Sequence, residues 1–443
     1  MTPIRLRARW LLPVATPAVG PGAVLIGADG RIVAAGRDAD VPAPAGAEAH
    51  DLGDVILLPG LVNTHAHLEL TALEGLVKDL PFREWIQRVR LLKDALDDGA
   101  RLASASWGVL DSFAAGITTI GDTGSTGAPA AALAALGARG VAYQEVFGPD
   151  PAQAAASLAG LATAVDALAA HASGRVRIGV SPHAPYTVSF ELLGAAVAFA
   201  RARGLPVAMH LAESPEEAAL VREGAGPFAE ALRARGIAVT AQGCSPVAWA
   251  ARAGLLAPRT LLIHAVETDA ADAAAIAAGG AAVAHCPSSN RDLGHGRLDL
   301  AMMRRAGVVV GLGTDSVATG APLDLFREAR LARDAAGLTP AEAVAMLTAG
   351  GAAALGLGDV GAIRPGAWAD LAALACSGAG DPDALVLASS PADVYAAWVG
   401  GRLVFRDGAW PGADVAAVRA GRARAGALAR SAVFSSQSNQ ADS

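Results

Sequence analysis

The sequence predicts an α/β fold, a (β/α)8 TIM barrel carrying a small β-sandwich domain assembled from both chain ends. Three observations lead there. Eight short, largely apolar runs alternate with Ala/Leu-rich helical segments through the middle of the chain. Histidines and one aspartate recur where those runs end, and hairpin-like sequences flank the alternation on either side. The chain has 443 residues, well beyond the roughly 250 of a bare barrel, which leaves room for a second unit.

The strand candidates are Ile56–His67, Ile117–Thr123, Val141–Phe147, Val176–His183, Val207–Glu213, Thr260–Val266, Ala281–Pro287 and Val308–Asp315. Continuous apolar runs of this kind fit parallel strands covered on both faces. The spacers, such as Ala152–Ala172 and Phe190–Arg203, carry helical patterns. Before the alternation, Val24–Ile26, Asp29-Gly30 and Arg31–Ala35 read as a hairpin, and Asp-Gly is a favoured two-residue turn. After it, Tyr395–Val399, Gly400-Gly401 and Arg402–Phe405 repeat the arrangement. Neither hairpin buries a sheet by itself. The expected organisation is therefore a composite β domain of residues 1–56 and 359–415, a barrel over 57–358, and a C-terminal segment 416–443. That last segment reads as a short helix followed by a disordered tail over Ser435–Gln440.

Apolar residues make up 53% and charged residues 17%, a composition that supports a large core. A net charge of −7 argues against nucleic-acid or anionic-membrane partners, which want a basic face. Ile4, Leu6, Ala8 and Trp10 alternate with polar residues, favouring a strand over a signal peptide. No apolar run reaches the roughly 18 residues of a membrane span. Cys244, Cys286 and Cys376 show no CxxC spacing and fit a reducing cytoplasm.

Barrel active sites lie at the C-terminal ends of the strands. His65 and His67 end the first candidate strand, His183 the fourth, His210 the fifth, His264 the sixth and Asp315 the eighth, with His285 near the end of the seventh. Period-two spacing in His65-Ala66-His67 turns both imidazoles to one side, where they can share an ion. His210 offers a third nitrogen, and Asp315, in Gly313-Thr314-Asp315-Ser316, a carboxylate. Three neutral nitrogens and one carboxylate suit one Zn2+ ion, with Fe2+ the second choice, and leave a position open for water.

These residues sit in Leu58-Pro59-Gly60-Leu61-Val62-Asn63-Thr64-His65-Ala66-His67, Ser181-Pro182-His183-Ala184-Pro185-Tyr186-Thr187, His210-Leu211-Ala212-Glu213, His285-Cys286-Pro287-Ser288-Ser289-Asn290 and Gly313-Thr314-Asp315-Ser316. Together the five motifs resemble the amidohydrolase superfamily. Within it they resemble the branch of S-adenosylhomocysteine, aminofutalosine and guanine deaminases and triazine chlorohydrolases. The resemblance spans Asp29-Gly30-Arg31-Ile32-Val33 to Arg364-Pro365-Gly366-Ala367-Trp368-Ala369-Asp370-Leu371. It implies that His65, His67, His210 and Asp315 hold one ion, that Glu213 handles protons, that His264 assists, and that His183 faces a heterocycle. Family members are often homodimers, and the sequence alone identifies no surface for one. Related two-metal barrels bridge their ions with a carboxylated strand lysine. Lys78 and Lys93, the only lysines, both follow the first strand, so a single ion is expected.

The mechanism implied is hydrolytic. The ion lowers the pKa of its water from ~15.7 toward ~7. Asp315 ligates and accepts a hydrogen bond from that water, Glu213 carries a proton to a ring nitrogen and then to the leaving group, and His264 supports the developing charge.

For substrate contacts, Asp79-Leu80-Pro81-Phe82-Arg83-Glu84-Trp85-Ile86 matches a family segment that folds over the pocket. Trp85 stands for its aromatic, and Asp94 for its ribose-binding acid, with Asp97 and Asp98 as alternatives. Glu69 and Glu145 are read as specificity residues or as partners of an arginine. After the third strand, Tyr143-Gln144-Glu145-Val146-Phe147-Gly148-Pro149-Asp150 is short and acidic, unlike the S-adenosylhomocysteine deaminase pattern. With His67-Leu68-Glu69-Leu70-Thr71 it most resembles aminofutalosine deaminases of menaquinone biosynthesis. That resemblance implies deamination of 6-amino-6-deoxyfutalosine, whose carboxylate would want Arg83, Arg88, Arg291 or Arg297. The alternative is triazine chlorohydrolase-type or other cyclic amidine or amide hydrolysis, and the least favoured reading is a non-catalytic barrel scaffold. Ser289 and Asn290 are read as shaping a loop and His285 as packing or support. His50, His171 and His295 are assigned to surface or loop, with His295 a weaker pocket candidate.

Overall fold

The computed structural model describes residues 2–441, with side chains described through Val433. Eight parallel strands follow one another in chain order around a single sheet. They are β1 (Leu61–Ala66), β2 (Ile117–Gly124), β3 (Arg139–Val146), β4 (Val176–Pro182), β5 (Val207–Leu211), β6 (Thr260–His264), β7 (Ala282–His285) and β8 (Val309–Leu312). A bridge between Ala66 and Asp315 lays the end of β8 beside β1 and closes the ring. Every residue of β1, β2, β3, β5, β6 and β7 is buried, which is why these strands read as unbroken apolar runs.

The first expected strand, Ile56–His67, is in fact two. Val55–Pro59 pairs antiparallel with Leu371–Ala375 outside the barrel, and only Leu61–Ala66 enters it. The chain changes sheets at Gly60, whose N–H donates to Asp370 O at 2.9 Å. A Cβ on Gly60 would lie 2.1 Å from Thr118 Oγ1, so glycine alone fits that crossing. Both halves are fully buried, so no change in apolar pattern marks the switch.

The barrel's companion is a pair of sheets. One contains Ile4–Ala8, Gly22–Ile26, Ile32–Arg37 and Glu48–Asp51; the other contains Trp10–Leu11, Val55–Pro59, Leu371–Ala375, Val394–Val399 and Arg402–Arg406. Leu6, Val24, Ile26, Leu57, Leu371 and Trp398 join in one apolar cluster. The two hairpin tips meet: Gly30 has φ 81°, and a Cβ there would stand 2.3 Å from Gly400 O.

A buried ion pair ties the small unit to the barrel. Arg139, at the start of β3, donates through Nε to Asp370 Oδ2 at 2.5 Å and through a terminal nitrogen to Oδ1 at 3.2 Å. The other face of Asp370 accepts from Gly400 N at 2.7 Å. Arg139→Met is expected to lower the unfolding free energy by about 3–5 kcal/mol, because Asp370 would be left buried without its counter-ion. Denaturant unfolding of the two proteins checks this.

Residues Pro151–His171 are long and apolar enough, by length and composition only, to cross a membrane. Within that stretch the helix Ala154–Leu168 buries Leu161, Val165 and Leu168 in the main core cluster, as an outer-ring helix does. The C-terminal helix, Val415–Ala441, is longer than the short one expected and packs on the helix Asp98–Ala114. The tail expected over Ser435–Gln440 lies outside the residues whose side chains are described.

Candidate active site

The C-terminal ends of the strands converge on a cavity of about 560 Å3, within the ~300–1,000 Å3 usual for small-molecule sites. His65 and His67 leave the end of β1, His210 stands on β5 and Asp315 follows β8. Asp315 Oδ1 lies 3.1 Å from His65 Nε2 and 3.4 Å from His67 Nε2. Ligand atoms of His65, His67 and His210 lie within 4.8 Å of one another, as do those of His65, His264 and Asp315. Two donors on a tetrahedral ion with bonds of 2.0–2.1 Å are separated by about 3.3 Å. The Asp315 distances to His65 and His67 therefore have coordination spacing, and His210 groups with the same two imidazoles, a donor set whose chemistry fits a divalent ion.

The electrostatics agree with that donor set. Burial pushes the imidazoles of His65, His67 and His210 below their ordinary range, which favours the neutral, ligating form. Burial alone would raise the Asp315 carboxyl, but the hydrogen bond from His65, with the other imidazoles around it, holds Asp315 well down. His210 is oriented from behind. Its Nδ1–H donates to His183 O at 3.2 Å, so Nε2 faces the site.

The backbone is bent hard here. Ala212, His264, Ala265 and Asp315 all have φ between 51° and 73°, a left-handed conformation that costs non-glycine residues roughly 1–3 kcal/mol each. Glu217 holds one of these turns, accepting from Ala212 N at 2.6 Å and from Glu213 N at 3.2 Å. Sequence reasoning passed over Glu217. Its signal was Ser214-Pro215-Glu216-Glu217, an N-cap serine with proline at the first helical position and an acid at the third.

Glu213 is buried beside the ligand cluster. Its Oε1 lies 3.5 Å from His264 Nε2 and 3.5 Å from His295 Nδ1, and Oε2 accepts from the Tyr186 hydroxyl at 3.5 Å. Burial, reinforced by Asp315, raises this carboxyl well above the usual range. His264 donates from Nδ1 to Asn290 Oδ1 at 2.9 Å, turning Nε2 toward Glu213. Ser289 donates to Asp315 Oδ2. Ser289 and Asn290 thus do more than shape a loop: they orient a candidate ligand and its neighbour. His295 is not on the surface. It is 3% exposed, with its ring 4.3 Å from that of Phe82. His285 is buried but does not line the cavity, and His50 is exposed.

The helix Phe82–Asp94 closes one side of the cavity with Phe82 and Trp85. Trp85 also donates to Ala318 O at 3.4 Å. His183 also lines the cavity; its Nδ1 is bonded to Thr187 Oγ1 at 2.8 Å. Glu145 lines the cavity and Glu69 does not. The Glu69 carboxylate accepts from Ser125 N and Oγ at 3.1 Å and from Thr126 Oγ1 at 2.6 Å, and meets Lys93 Nζ at 3.1 Å. Burial would raise this acid, but Lys93 and those hydrogen bonds together hold it at about 2. Glu69 therefore has no free oxygen for a substrate, which corrects the expectation of a contact there, and its cationic partner is a lysine.

Asp94 reaches only the rim, 64% exposed and 3.7 Å from Arg90. Asp97 caps the next helix and pairs with Arg424, and Asp98 is exposed. None of Arg83, Arg88, Arg291 and Arg297 lines the cavity, whereas Arg90 and Arg235 do. The sequence could not rank them, because which helix face meets the barrel is decided by packing.

Comparison with known proteins agrees with this architecture. Residues 56–404 match the model of the amidohydrolase family. A 5-methylthioadenosine/S-adenosylhomocysteine deaminase of Halobacterium salinarum is 35% identical over 370 residues, covering 80% of each chain. An aminodeoxyfutalosine deaminase of Deinococcus radiodurans is 32% identical over 350 residues, covering 76% of this chain and 82% of its own. An adenosine deaminase of Xanthomonas campestris, crystallised with bound zinc, shares the fold with a TM-score of 0.84 at 24% identity, over 97% of this chain and 98% of that one. With this barrel, this convergence of residues and a match over most of its length, the chain belongs to the amidohydrolase family and is a hydrolase of carbon–nitrogen bonds.

Proposed function

We propose that this protein is a metal-dependent hydrolytic deaminase of a 6-aminopurine nucleoside, with 6-amino-6-deoxyfutalosine as its substrate. One observation carries the reading: the imidazoles of His65, His67 and His210 and the Asp315 carboxylate cluster at the C-terminal end of the barrel, with Glu213 beside them. His65, His67, His210 and Asp315 would hold the ion, Zn2+ first and Fe2+ second. When bound, the ion supplies Lewis acidity that makes water a nucleophile near neutral pH.

The chain's own residues do the rest. Glu213, buried beside His264, takes a proton from the attacking water and delivers it to the ring nitrogen next to the amino-bearing carbon. The second proton of the added oxygen then passes to the amine, the carbon–nitrogen bond breaks as the carbonyl forms, and ammonia leaves. His264, fixed by Asn290, holds the attacking oxygen in line. Phe82 and Trp85 exclude water over the ring. Arg90 and Arg235 stand at the cavity wall as cations for a substrate carboxylate.

The aminodeoxyfutalosine reading draws on the short acidic segment after β3 and on the Deinococcus relative. A second reading, 5-methylthioadenosine or S-adenosylhomocysteine, is favoured by the relative at 35% identity. Ammonia release by the zinc-loaded protein separates them, using aminodeoxyfutalosine, methylthioadenosine, S-adenosylhomocysteine, guanine and an aminotriazine. The expected result is the highest kcat/KM on aminodeoxyfutalosine. Preference for either adenosine derivative would move the assignment to the second reading. Turnover of the triazine alone would replace both readings with cyclic amidine hydrolysis.

A further inference from the structure

Strand β7 ends at His285, and the chain turns through Cys286 into one short helix, Pro287–Asp292. Two side chains on that turn reach into the active site. The Ser289 hydroxyl donates to Asp315 Oδ2, and Asn290 Oδ1 accepts from His264 Nδ1 at 2.9 Å. The setting of Asp315 and of His264 therefore depends on where one turn of backbone sits. That turn does little to fix itself. Cys286 precedes it and supplies no side-chain cap, and Pro287 opens it without an N–H to donate. The next N–H, on Ser288, belongs to a first turn and finds no acceptor within its own helix.

The acceptor comes from another element. Glu328 Oε2 accepts from Ser288 N at 2.8 Å. Glu328 lies on the helix Leu325–Ala336, which follows β8 and packs on Pro287–Asp292. Asp324 starts that helix by accepting from Arg327 N at 3.0 Å, which places Glu328 one turn in. Glu328 and Ser288 are both 0% exposed.

An acid at this place needs a reason. The other buried residues of its helix are Leu325, Phe326, Ala329 and Ala332, all apolar. Burying a carboxyl among them costs stability unless a hydrogen bond offsets it, and a methionine would fill the space without that cost. What the acid adds is its grip on Ser288. Burial pushes the Glu328 carboxyl up to about 7, against the hydrogen bonds from Ser288. Acid and anion can both accept the Ser288 N–H, so the grip needs no particular charge. Glu328 does not line the cavity, so any effect on the reaction passes through Ser288 and its two neighbours.

We propose that Glu328 is a positioning residue of the active site: by holding Ser288 it sets the turn from which Ser289 orients Asp315 and Asn290 orients His264. The proposal rests on the reading above of Asp315 as a metal ligand and of His264 as the group that holds the attacking oxygen.

The test uses Glu328→Met, which keeps the length and removes the acceptor, and Glu328→Gln, which keeps an acceptor oxygen. Each is made in the wild type and in a chain already carrying Ser289→Ala and Asn290→Ala. Circular dichroism confirms folding; kinetics on the preferred substrate of the panel above and zinc affinity by chelator competition are the readouts. Glu328→Met is expected to lower kcat about 10- to 100-fold with KM little changed, and to weaken zinc binding by a similar factor. Glu328→Gln should recover most of both. In the chain without Ser289 and Asn290, Glu328→Met should cost little more, because the route it acts through is already cut. Unchanged kcat and zinc affinity in folded Glu328→Met overturn the proposal. So does an equal fractional loss in both backgrounds, or a Glu328→Gln as impaired as Glu328→Met. If Glu328→Met does not fold, Glu328→Asp decides, its carboxyl one methylene short of Ser288: a loss of about tenfold in kcat is expected, and wild-type kcat overturns the proposal. Should the wild type deaminate nothing in the panel, the functional reading fails separately, and the zinc titrations alone decide the role of Glu328.

Discussion

Glu213→Gln is expected to lower kcat by about 10²–10⁴-fold, the usual worth of a positioned proton carrier, while leaving metal content and folding intact. The amide keeps the size of the side chain and can still accept from Tyr186, which lies 3.5 Å away. It cannot accept and release a proton. Burial and the nearby Asp315 raise the Glu213 carboxyl well above its ordinary range. Glu217, which accepts from Ala212 N and Glu213 N, would still hold the turn. Steady-state kinetics with metal analysis checks this, and a variant that retains wild-type kcat would remove Glu213 from the chemistry.

The larger effect should come from the ion. Chelation is expected to abolish turnover, because the drop of about 9 units in the pKa of water is lost with the metal, and Zn2+ should restore it. In Asp315→Ala the added zinc is expected to restore nothing. That variant removes the one anion of the cluster, a carboxylate within 3.1 Å of His65 Nε2 and 3.4 Å of His67 Nε2 and held in place by Ser289. Full activity after exhaustive chelation would contradict a metal-dependent mechanism.

Some of this architecture was legible in the sequence for simple reasons. A buried parallel strand must be apolar along its whole length, so polar residues at its C-terminal end stand out, as His210 does after Val207-Ala208-Met209. Period-two spacing likewise announces a shared direction for His65 and His67. Other features carry no local mark. The change of sheet at Gly60 lies between two stretches that are equally buried. The inward turn of Lys93, in place of Asp94, depends on how the helix Phe82–Asp94 rests on Glu69 and Glu145, contacts made far along the chain. Asn290 and Ser289 matter through partners more than 20 residues away, His264 and Asp315, and nothing in a Ser-Ser-Asn run names those partners. His295 looks like a loop residue in Gly294-His295-Gly296, yet packing against Phe82 buries it.

The most direct measurement is X-ray anomalous scattering at the zinc edge from crystals of the zinc-loaded protein. The account predicts one peak per chain, with bonds of about 2.0–2.2 Å to His65, His67, His210 and Asp315. No peak at that point, or a peak seated on Glu145 and His183 instead, would contradict it.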